Sequence, residues 1–155
     1  MLLTEHLAAS VEALYNGQPW LDVTFREHLS RINALQAVQR FKESNCIWQV
    51  VNHVIFWHQR VQRYIYNEPP EKEGDLPDFY MPENHGEENW QATLHRLEHS
   101  FAQMGETIRK FPEDELFDTF PGTDKIAIYY LQGIAEHDAY HLGQIVLLHK
   151  YGPEL

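Results

Sequence analysis

Four long stretches of this chain repeat apolar residues every three or four positions, and none of useful length alternates as a strand would. That pattern restricts the chain to helices packed on helices. The first stretch runs from about Leu2 to Tyr15 and stops at Asn16-Gly17, a pair suited to ending a helix. Thr24 is placed to cap a short piece reaching about Leu35. The next long helix opens near Ser44 and continues through Tyr66. The connection from Asn67 to Gly86 carries prolines at 69, 70, 77 and 82. At roughly 20 residues it exceeds most connections, as functional lids often do. A further helix covers Glu87 to Lys110, and Glu113 to Gly122 returns the chain. Thr123 or Asp124 then caps a last helix that reaches about Lys150. The expectation is an all-α four-helix bundle with one short additional helix, filling residues 1–155 as a single domain.

Charge narrows the function classes. With 12 basic and 23 acidic residues, the net charge of −11 repels phosphate backbones and anionic lipid, and no basic run offsets it. Neither nucleic acid nor membrane is expected as a partner. Cys46 is the single cysteine, which excludes an internal disulfide and a cysteine-rich zinc site. The opening MLLTEHLAAS lacks the charge and apolar length of a signal peptide. The longest apolar region, Ile126 to Leu148, is interrupted by Glu136, His137, Asp138 and His141 and does not suit a bilayer. A soluble, cytoplasmic protein is the expectation.

Ten histidines raise the question of which point inward. His137 and His141 sit about 40° apart around the last helix, on a side shared with Tyr130, Ile134, Gln144 and Leu148. In the Ser44–Tyr66 helix, Cys46, Val50, His53, Trp57 and Tyr64 form one inward stripe. His58 points about 140° away from His53 and is expected at the surface or its boundary. His95 and His99 share the four-residue spacing of His137 and His141. They project nearly opposite the stripe Trp90, Leu94, Leu97, Phe101, Met104 and Ile108, so they are expected in solvent. Facing therefore selects His53, His137 and His141. Two imidazoles one turn apart and a third from a neighbouring helix can converge on one divalent ion, leaving positions open. Buried histidines are also met as hydrogen-bonded polar core groups, and spacing does not separate these readings.

The segment from Tyr130 to Leu148 contains Gly133-Ile134, His137-Asp138, Tyr140-His141 and Gly143-Gln144-Ile145. It resembles the C-terminal signature of the DinB-like metalloprotein superfamily. Upstream, Gly17, Pro19 and Trp20 resemble the family's turn after the first helix, and Ile47-Trp48 through Val51 and His53 resembles its first ligand segment. The resemblance implies an up-down-down-up bundle with His53, His137 and His141 as metal ligands. It further implies nickel or zinc and frequent homodimers, while the family name itself does not imply DNA binding.

Characterised enzymes of that family use low-molecular-weight thiols such as bacillithiol, and many members are labelled metal-dependent hydrolases. The leading expectation is accordingly a thiol S-transferase acting on a small-molecule substrate. The alternatives are a hydrolase with a metal-activated water and a non-catalytic metal-binding module. Hydrolysis calls for a carboxylate base, whereas Glu136 and Asp138 project about 100° to either side of His137. Gln144, Tyr130 and Trp57 are the residues expected to line a cofactor pocket. Tyr80 and Met81 of the long loop are candidates for its mouth, and Trp20 is expected to anchor its turn.

Overall fold

The computed structural model describes residues 1–152. Among them the chain is helical, with α1 (Leu3–Asn16), α2 (Phe25–Leu29), α3 (Ala34–Ala37), α4 (Ile47–Ile65), α5 (Glu87–Lys110) and α6 (Ala127–Tyr151). A 3-10 turn at Glu113–Glu115 precedes α6. The four long helices pack in the ring α1, α5, α4, α6. Trp48, Trp90, Phe25, Phe101, Met104 and Leu131 lie fully inside it.

Side-chain pairs set the helix directions. Trp48 Nε1 donates to Thr93 Oγ1 at 3.0 Å near the starts of α4 and α5, and Gln62 reaches Thr107 near their ends. Those two helices therefore run parallel. Tyr15 at the end of α1 stacks on Phe101, while Arg109 near the end of α5 bonds Glu12, so α1 and α5 are antiparallel. The pairs His53–His137 and Tyr64–Tyr130 make α4 and α6 antiparallel as well. The order is up-down-down-up. Parallel neighbours need a connection that travels the length of the bundle, which accounts for the long loop between α4 and α5.

Local chemistry shifts several expected boundaries. The short piece after Thr24 is two helices rather than one. Thr24 Oγ1 caps α2 by accepting from Glu27 N, but Asn33 and Gln36 then exchange reciprocal side-chain-to-amide bonds at 2.9 and 3.0 Å and restart the chain as α3. Ser44 does not cap α4; its hydroxyl accepts from Phe41 N in the preceding turn, and Gln49 accepts from Cys46 N at the true start. Neither Thr123 nor Asp124 caps α6. The Ala127 and Ile128 amides at the start of α6 donate instead to the Asp118 and Leu116 carbonyls at 3.0 and 2.9 Å. Trp20 anchors nothing, being 99% exposed. No helix among the described residues is long and apolar enough to cross a membrane.

Candidate metal centre

Antiparallel packing of α4 on α6 sets His53 opposite His137 and His141. Their ring centroids lie 4.4–5.0 Å apart. One candidate ligand nitrogen from each ring falls within 4.8 Å of the other two. The His53 and His137 Nε2 atoms are 3.1 Å apart. Two nitrogens bound to one ion at about 2.0–2.1 Å would sit at roughly 3.0–3.4 Å, so the separation suits a shared ion. His95 and His99 are exposed on α5, as their direction predicts.

The outer nitrogens decide which atoms face inward. His53 Nδ1 lies 2.6 Å from Asp78 Oδ1, His137 Nδ1 lies 3.2 Å from Asp138 Oδ1, and His141 Nδ1 lies 2.7 Å from Gln144 Oε1. Carboxylate and amide oxygens only accept, so each Nδ1 carries the proton. With Nδ1 so engaged, Nε2 is the nitrogen left for an ion, and those of His53 and His137 face each other. Such outer partners fix tautomer and ring orientation in metal sites. Burial pushes the His141 imidazole down to about 4. It lowers His53 as well, against the opposing pull of Asp78. Both are therefore neutral at physiological pH, the state a ligand requires. This donor set could hold a divalent ion, and imidazole donors suit zinc, nickel, copper and iron alike.

Sequence reasoning missed three residues around this cluster. His58 is fully buried rather than at the surface, with Nε2 2.8 Å from Asp138 Oδ2 and Nδ1 3.1 Å from Ser100 Oγ. Asp138, also fully buried, therefore bridges His58 and the candidate ligand His137. Burial alone would raise its carboxyl, but the two histidines outweigh that and hold it below the usual carboxylate range. The other two come from the long loop. Asp78 orients His53, and Phe79 stacks on the His53 ring at 3.9 Å with an 11° tilt. Phe79 takes a positive φ of 52°, and its carbonyl accepts from Gln49 while that of Tyr80 accepts from Asn52. Residues 78–80 thus form a strap across one face of α4. Tyr80 and Met81 sit one and two positions past the contact, and Met81 packs near Cys46.

Of the residues expected to line a pocket, Tyr130 and Trp57 border a groove of about 860 Å³ that also touches His137. Gln144 does not line it and instead holds His141. The His137 side chain is 23% exposed, more than that of His53.

The helical bundle thus sets two histidines on one helix opposite a third on its antiparallel neighbour, a group that could hold a metal ion. The family model of the DinB superfamily matches residues 20–145, and the chain belongs to that superfamily. The match begins after Gly17 and Pro19 and covers all three histidines. No curated protein and no solved structure matches the chain significantly.

Proposed function

We propose that this protein binds one divalent metal, nickel or zinc, through His53, His137 and His141, and transfers a small thiol such as bacillithiol to an electrophile. The observation that carries the reading is that His53, His137 and His141 each bring one ring nitrogen within 4.8 Å of the other two, while each Nδ1 has a hydrogen-bond partner of its own. Three protein ligands with one of them bordering a groove match an open catalytic site better than a closed structural one. A divalent ion held there supplies Lewis acidity, which favours a thiolate over a thiol. The protein's part is to hold three imidazoles in one tautomer, exclude water on the Phe79 side and admit substrate beside His137. In the reaction a carbon–sulfur bond forms, the leaving group departs with its electron pair, and the thiol proton goes to solvent.

Hydrolysis is the second reading, and the carboxylates argue against it. Asp138 is committed to His58 and His137, Asp78 to His53, and Glu136 to Gln132. Asp138, fully buried with both oxygens engaged, is not placed to take a proton from water, and Glu136 projects about 100° away from His137 around the helix. Incubating metal-loaded protein with thiols and a panel of electrophiles and esters tests both readings. Metal-dependent conjugation is the expected result. Ester cleavage without thiol would select hydrolysis, and no turnover despite bound metal would select a non-catalytic binding module. A homodimer and a cytoplasmic setting belong to the same proposal; light scattering checks the first and fractionation the second.

A further inference from the structure

The groove beside His137 runs between the second half of α4 and the first half of α6. Trp57, Val61 and Tyr64 form one wall, and Tyr129, Tyr130 and Ile134 belong to the other. From His137 to Ile126 the floor extends for about 16 Å along α6, at about 1.5 Å per residue. A volume of about 860 Å³ lies within the range of small-molecule sites.

Charge sorts what such a site accepts. Lys125 is the single lysine or arginine among the lining residues. It is already engaged by Asp124 at 3.3 Å and by the Tyr129 ring at 5.6 Å. Glu136 at the other end takes a hydrogen bond from Gln132. Away from an ion at His137, an anion would find no unshared lysine or arginine along the groove, and the net charge of −11 opposes it further. The aromatic walls instead offer ring faces to a flat apolar group.

Gly133 gives the groove its room. It lies on α6 one turn before His137, and a Cβ placed there would meet no atom within 4 Å. Packing therefore does not demand glycine, although glycine inside a helix costs about 1 kcal/mol relative to alanine. Its missing side chain leaves space at the end of the groove nearest the histidines.

We propose that this groove binds an uncharged aromatic or branched-apolar group of the substrate, directing its reactive end toward His137. The inference rests on the metal-site reading only for which end of the groove is the reacting end.

Binding of the uncharged dye N-phenyl-naphthylamine to the full chain, followed by fluorescence with and without chelator, tests it. Saturable binding is expected in both conditions, with the sulfonated analogue anilinonaphthalene sulfonate about tenfold or more weaker. Gly133→Leu should weaken the uncharged dye by about tenfold or more, while Gly143→Leu on the exposed side of α6 changes it by less than about twofold. Metal content should be unchanged in both. Tyr129→Ser, at the solvent rim, should weaken the dye by about threefold and guards against a folding failure of the leucine variant. Equal binding of the two dyes, or indifference to both groove substitutions, overturns the inference. So does a change of oligomeric state in Gly133→Leu, which would make the groove an interface between copies. Dye binding with these signatures in a protein that takes up no metal would leave the groove standing and remove the proposed function.

Discussion

At the scale of single residues, facing rather than spacing separates the two histidine pairs. Alanine at position 53, 137 or 141 should abolish stoichiometric metal, whereas alanine at 95 or 99 should leave it intact, as elemental analysis of untagged protein would register. Asp138→Asn keeps the shape but loses the carboxylate that orients His137, so metal affinity should fall by about 10- to 100-fold in a chelator competition. Asp138→Ala also strands His58 in the core and should lower metal-free stability by about 1–3 kcal/mol in a denaturant titration. The three candidate ligands were legible because His53, His137 and His141 lie on faces marked by apolar neighbours. His58 was not. It lies well off the His53 stripe, but α4 packs on both α5 and α6, and Trp48, Asn52, Val54 and His58 show how broad its buried arc is. A helix with two partners buries residues that a single-stripe reading assigns to solvent.

At the scale of elements, the ends of α5 are legible in the sequence because Gly86 and Pro112 punctuate a clean stripe. The strap was out of reach because Asp78 and Phe79 lie in a proline-rich stretch with no period to project onto. Its importance is testable. Asp78→Ala with Phe79→Ala should release the loop from α4, seen as faster proteolytic cleavage within residues 67–86 and weaker metal retention. A second distant contact fixes α1. Glu113 accepts from the Leu3 and Thr4 amides at 2.8 and 3.1 Å, capping a helix that begins 110 residues earlier in the chain. The Thr4 amide first, then that of Leu3, holds its carboxyl below the ordinary value. The contribution is therefore complete above that ordinary value and is lost as pH falls through the lowered folded-state value. Glu113→Gln should reduce the melting temperature most at neutral pH, and the gap from the parent should close in acid, as thermal scans across pH would record.

For the whole molecule, a ligand that binds only the folded state stabilises it by mass action. Free metal at about a hundred times its dissociation constant adds about 2.7 kcal/mol. Thermal scans of metal-loaded and chelator-treated protein should then differ by roughly 5–10 °C, a gap absent in His53→Ala. The antiparallel pairing of α4 with α6 extends that consequence to the chain's connectivity. His53 and His137 are 84 residues apart. A covalent bridge across a loop of that length removes about 4–5 kcal/mol of denatured-chain entropy. An ion held by both residues acts as a reversible counterpart of that bridge, enclosing the strap and all of α5 within one ring. In the unfolded chain only His137 and His141 of the three are near enough in sequence to share it, so parting α6 from α4 would cost the ion one of its three ligands.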